Sequence, residues 1–266
     1  MQAAFFDLDK TIIARSSALV FGRPFYKEGL ISRTQIVKGM YAQLVYHLVG
    51  ADENKMERMR QALLELTKGW DKARVSQLVR ETLTDLIDPI IFEEALELIE
   101  EHRAAGRLVF IVSSSAEEIV KPLAEYLGVP NVIATRAKVD EEGLYTGELE
   151  FYAYAEGKRE AIAAEAQRRD IDLSASYAYS DSITDLPMLE AVGNPHAVNP
   201  DKELRKVAEE REWTILRFQN PISLRKRIAE RVPRPSPTAA ALAGATVIAV
   251  IAWAWLRRSR GERHAA

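Results

Sequence analysis

Four short apolar runs, at residues 3–6, 108–112, 131–134 and 176–179, recur along the chain, most of them separated by stretches with apolar residues at helical spacing. A short apolar run bounded by turn residues fits a strand buried on both faces, and an intervening helix is long enough to bring the next strand in parallel. This alternation predicts an α/β fold, a three-layer, Rossmann-like parallel sheet with helices on both faces. Open sheets of this kind place ligands outside the carboxyl ends of their strands. The residues just after each apolar run are therefore the first place to look for chemistry.

The gap between the first and second runs is far longer than a crossover needs. Residues 33–49, 53–68 and 72–86 each carry apolar residues three and four apart, so residues 17–89 read as a helical cap domain inserted into a core of residues 1–16 and 90–220. A helix over residues 92–105, ended by Gly106, returns the chain to the sheet. Residues 138–147 alternate around an acidic glycine turn and predict a short hairpin. No Gly-x-Gly-x-x-Gly and no Gly-Lys-Ser/Thr loop is present, which excludes the usual dinucleotide and nucleoside-triphosphate sites.

Hydrophobic residues make up 47% of the 266 and charged residues 28%, enough for a sizeable core. A net charge of -3, with no long Lys/Arg run before residue 220, leaves no electrostatic footprint for nucleic acid. The absence of cysteine excludes disulfides, thiolate nucleophiles and cysteine zinc sites. His47, His102, His196 and His264 lie far apart and read as packing or surface residues. The N-terminus carries neither a basic region nor an apolar stretch of signal-peptide length, so a cytoplasmic body is expected. The other end differs. Residues 238–256 are uncharged and apolar, approaching the ~20 residues that span a bilayer, and follow a basic, proline-rich linker at 221–237. They predict a C-terminal hydrophobic helix, either a membrane anchor or a buried helix. Basic residues on both sides leave its orientation open.

Asp7 and Asp9 follow the first strand directly. The strand period of two puts both carboxylates on one side, able to share a cation or to divide nucleophile and acid roles, though an acidic pair can also be a turn or a cap. The second strand ends in Ser113, Ser114 and Ser115, hydroxyls able to hold a phosphoryl oxygen or to form a capping box with Glu117 or Glu118. Lys158 follows Gly157 at a helix start, where the dipole disfavours a cation; it could offset anionic charge or be solvated. Asp181 and Asp185 follow the last strand, and Asp185 could cap the helix that Pro187 opens.

Taken together, the order Asp7-Leu8-Asp9-Lys10-Thr11, Ser113, Lys158 and Asp181 to Asp185 resembles the four signature motifs of the haloacid dehalogenase superfamily over residues 1 to about 220. The helical insertion makes it most similar to the phosphoserine phosphatase branch. The resemblance implies a phosphatase in which Asp7 is the nucleophile and Asp9 the general acid and base. It further implies that Asp7, Asp9 through its carbonyl, and Asp181 hold magnesium, with Asp185 supporting them. Ser113, Ser114, Thr11 and Lys158 would serve the phosphate of a small phosphorylated substrate such as phosphoserine or a lysophospholipid. Two departures stand out: Ser180 replaces the branch's glycine, and the glutamate that holds the substrate amine is missing, the first acid after Asp9 being Glu28. Transfer to an acceptor other than water, or a membrane-tethered scaffold, would use the same fold.

Overall fold

The computed structural model describes residues 1–32 and 53–224. Its strands are β1 (Ala3–Asp7), β2 (Ile91–Phe92), β3 (Leu108–Ala116), β4 (Asn131–Val139), β5 (Tyr145–Phe151), β6 (Tyr177–Ser180), β7 (Asn194–Val198), β8 (Thr214–Leu216) and β9 (Pro221–Ile222). Its helices are α1 (Ser17–Lys27), α2 (Glu53–Thr67), α3 (Lys72–Ile87), α4 (Glu93–Ala104), α5 (Glu117–Tyr126), α6 (Glu156–Arg169), α7 (Leu186–Glu190) and α8 (Lys202–Glu210).

Seven strands form one sheet in the order β5-β4-β3-β1-β6-β7-β8, parallel except for the antiparallel β4–β5 pair. All five residues of β1 are buried, as a central parallel strand covered by helices requires. Alternate residues feed two cores. Phe6, Ile111 and Tyr179 pack with α3, α4 and α5 on one face. Phe5, Phe110 and Ala178 pack with α6, α7 and α8 on the other. The chain runs outward from β1 through β3 and β4, then resumes on its opposite side with β6, so β1 flanks the point where strand order reverses.

Several boundaries differ from the sequence expectation. β3 continues through the serines to Ala116 and the next helix begins at Glu117, because Ala116 still pairs with Thr135 across a register shift. The expected hairpin forms, with arms longer than 138–147 because β4 extends the core strand. Residues 221–222, expected to open a linker, instead pair as β9 with β2. The helices expected over 53–68 and 72–86 correspond to α2 and α3, whereas the one over 33–49 lies outside the described residues, as does the apolar stretch 238–256. Among the described residues, no helix is long and apolar enough to cross a membrane.

Candidate active site

The register of the central strands brings the sequence-predicted residues to one edge. Asp7 pairs with Val112 across β1 and β3, which sets Ser113 one residue further on, while Phe6 pairs with Tyr179 and so sets Ser180 level with Asp7. After Asp7 the backbone turns at once, with Lys10 in the left-handed region at φ 61°, where side chains other than glycine are strained.

Lys158 lies at the centre of this edge. Its Nζ donates to Asp7 Oδ1 at 2.6 Å and to Asp185 Oδ2 at 2.8 Å, and Ser180 Oγ donates to the same Asp185 oxygen at 2.7 Å. All four side chains are buried. Burial pulls the lysine pKa down, but the charges of Asp185 and Asp7 outweigh it and the net direction is upward, so the ammonium stays protonated. Burial also pushes Asp7 well above the usual carboxylate range; Lys158 opposes this, while Asp185, Asp181 and Asp9 add to it.

The loop before α6 delivers the lysine. Ala155 adopts φ 46° and ψ -115°, and a side chain at Gly157 would place its Cβ 2.2 Å from the Tyr152 carbonyl oxygen, so only glycine fits where the loop folds back.

Asp9 is held separately. Its Oδ1 accepts the backbone N–H of Ser17 at 2.8 Å; Oδ2 lies 3.2 Å from both Ser17 Oγ and Ser115 Oγ, which are 2.9 Å apart. Burial raises its pKa, and the Ser17 and Ser115 hydrogen bonds pull the other way. Asp181 is 8% exposed, and Lys10 Nζ stands 3.9 Å from its Oδ2. Burial pushes it up to about 7, opposed by Lys10 and reinforced by Asp185 and Asp201. The Asp181 carbonyl accepts the N–H of Asp201, whose own carboxylate accepts the N–H of Ile183 and caps α8 at Leu204, fixing the loop after β6.

At two positions the side chain that could have capped a helix does not do so. Ala116 occupies the N-cap of α5 with no side-chain bond, and Ser115 turns to Asp9 instead. Asp185 stands at the N-cap of α7 without capping it and faces Lys158.

A model of the haloacid dehalogenase-like hydrolases matches residues 4–190, which contain Asp7, Asp9, Ser17, Ser115, Lys158, Asp181 and Asp185. The chain belongs to that family. A Streptomyces azureus protein named for inhibition of morphological differentiation is 52% identical over 259 residues, 96% of this chain and 94% of its own length. A Mycobacterium tuberculosis protein named a probable phosphatase is 51% identical over 252 residues, 95% of this chain and 85% of its own. A solved structure described as a phospho-aspartyl intermediate analogue of phosphoserine phosphatase shares the fold, with a TM-score of 0.59 at 19% identity over 86% of this chain and 98% of that one. The chain is an enzyme of the phosphatase class within the haloacid dehalogenase-like hydrolases.

The other expected residues stand as follows. Ser113 is buried within β3, its Oγ accepting the N–H of Ser115 at 3.2 Å. Ser114 is exposed, and its carbonyl, rather than its hydroxyl, is engaged, by Thr135. Thr11 is fully buried and its hydroxyl has no hydrogen-bond partner. Ser17 was not legible as a site residue, because a hydroxyl beside a helix start reads as a cap, and Ser115, legible as a phosphoryl or capping hydroxyl, instead meets Asp9.

No cluster of three or more acidic, imidazole or thiol side chains with the geometry of a metal site occurs among the described residues. The expected magnesium set needs only two carboxylates, Asp7 and Asp181, beside the Asp9 carbonyl and waters. The charge balance fits it. Four carboxyls, Asp7, Asp9, Asp181 and Asp185, gather hard oxygen donors beside two ammonium groups, Lys158 and Lys10, and the raised pKa of Asp7, Asp9 and Asp181 is what a buried acidic site short of cationic charge produces.

Proposed function

We propose that this chain hydrolyses small phosphomonoesters with magnesium, through a phosphoryl group carried on Asp7. The contact between Asp7 and Lys158, 2.6 Å apart and buried, carries this reading: a carboxyl oxygen held and oriented by a charged ammonium at a strand end is a nucleophile in waiting. Asp7 attacks phosphorus while Asp9 gives its proton to the leaving oxygen. Asp9 then takes a proton from the water that attacks the phosphoenzyme, and Asp7 is restored. Lys158 remains charged throughout and offsets the negative charge that gathers at the phosphoryl group. Ser113 and Thr11 supply buried hydroxyls for its oxygens. Magnesium, held by Asp7, Asp181 and the Asp9 carbonyl, would supply further charge stabilisation.

Residues 17–89 fit the role of a cap that excludes water from the site, and residues 238–256 that of a membrane tether. Glu28, the first acid after Asp9, pairs with Arg74 on α3 rather than waiting for a substrate amine. This favours an ester whose alcohol carries no ammonium group over phosphoserine. The test is release of inorganic phosphate by the full-length chain from alkyl monoesters, phosphoserine and lysophosphatidic acid. Turnover in magnesium that disappears in EDTA is expected, with phosphoserine not preferred; release from no ester by a folded protein would overturn the assignment.

A further inference from the structure

Nothing in the reaction scheme above requires Ser17 or Ser115, yet both point at the side chain assigned as the acid. Ser17 is fully buried and is the first residue of α1. The residue before it, Ser16, stands at the N-cap of that helix and makes no side-chain capping bond. A helix start needs acceptors for its N–H groups, and here one comes from outside the helix: Asp9 Oδ1 takes the Ser17 N–H at 2.8 Å. Ser115 comes from a different element, the polar extension of β3, and its Oγ reaches Asp9 Oδ2 at 3.2 Å. The 2.9 Å link between the two hydroxyls closes a triangle around that oxygen.

Resting on the phosphatase reading, we infer that Ser17 and Ser115 are positioning residues that aim the Asp9 carboxyl at the leaving oxygen of the substrate. Backbone N–H and hydroxyls approach from two separate elements, so the carboxyl is fixed in direction as well as place. Because Ser17 begins the first helix after Asp9, the acid is aligned only while the N-terminus of α1 is seated against the loop that follows β1. In the step concerned, an Asp7 oxygen bonds to phosphorus, the bond from phosphorus to the leaving oxygen breaks, and the electron pair on that oxygen is taken up by the Asp9 proton. General acid catalysis is worth on the order of 100-fold or more, but only when the leaving group needs the proton. An alkoxide needs it. The phenolate of p-nitrophenol does not.

The experiment compares kcat/KM of full-length wild type, Ser115→Ala, Ser17→Ala and Ser115→Thr on glycerol phosphate and on p-nitrophenyl phosphate, with saturating magnesium. The alanine variants are expected to lose about 100-fold on the alkyl ester but less than about 5-fold on the aryl ester, and Ser115→Thr, which keeps the hydroxyl, to recover most of the loss. An equal loss on both esters, or none on either, would overturn the inference. Ser115 is only half-buried, so its alanine variant gives the answer even if Ser17→Ala does not fold. A wild type inactive on both esters would instead remove the phosphatase reading itself.

Discussion

Asp7 sits where a carboxylate is least comfortable. Burial raises its pKa, and three neighbouring carboxylates reinforce the rise against the single ammonium of Lys158. A folded-state pKa above the unfolded one means that ionising this carboxyl weakens the fold. Asp7→Asn nearly keeps the volume, removes that charge and leaves Lys158 paired one to one with Asp185. In magnesium-free buffer the variant should therefore melt no lower than wild type. A gain of about 1 kcal/mol would appear as about 2–4 °C in Tm. Turnover should fall by orders of magnitude, since the attacking oxygen is gone. A drop in Tm of several degrees by scanning calorimetry would show that Asp7 contributes to the fold on balance. The chemistry at this scale was legible because Asp and Lys at the ends of apolar strands or at a helix start run against ordinary preference. Serine does not, and so Ser17, and the turn of Ser115 toward Asp9, emerged only from their distances to that carboxyl.

At the scale of elements, legibility followed burial. β1 and the apolar part of β3 announce themselves because both of their faces are covered. The polar extension of β3 from Ser113 to Ala116 did not, since it is strand only by virtue of its pairing with β4. β7, which contains Pro195 and His196, and the three-residue β8 are likewise held by their neighbours and not by their own composition. The loop before α6 is the element on which the site most depends. At Gly157 a methyl group would meet the Tyr152 carbonyl oxygen at 2.2 Å, a backbone atom that cannot swing aside. Gly157→Ala must therefore move the first turn of α6, and Lys158 with it. We expect a loss of about 1–3 kcal/mol in stability from overpacking, seen as a lower urea midpoint, with a fall of at least about 10-fold in kcat from the misplaced ammonium. Lower stability with unchanged kcat would separate the loop from the positioning of Lys158.

Across the whole molecule the two cores do different work. The face packed by α6 and α7 delivers Lys158 and Asp185, whereas the face packed by α4 carries the buried His102. Its Nε2 lies 2.8 Å from the Tyr179 hydroxyl and its Nδ1 3.2 Å from Arg107 Nη1. Arginine only donates, so Nδ1 is the acceptor and Nε2 carries the proton toward Tyr179. The ring is neutral, and burial, helped by Arg107 and His196, pushes its pKa down to about 4. Above the unfolded value of about 6.5 neither state takes up a proton and the full stability is present. Below it the unfolded chain gains a proton that the folded one refuses, so stability is lost progressively as pH falls from about 6.5 toward about 4. At about 1.4 kcal/mol per unit the full loss approaches about 3 kcal/mol. The raised carboxyls of Asp7, Asp9 and Asp181 act in the opposite sense, so the net slope of wild type does not isolate the histidine. The difference between wild type and His102→Gln does, because the glutamine amide can still donate to Tyr179 but cannot titrate. Urea unfolding at pH 7 and pH 5 should show wild type losing at least about 1 kcal/mol more than the variant over this interval. Parallel losses would mean that His102 charges in the folded protein as readily as in the unfolded chain, and that the α4 face is open to protons.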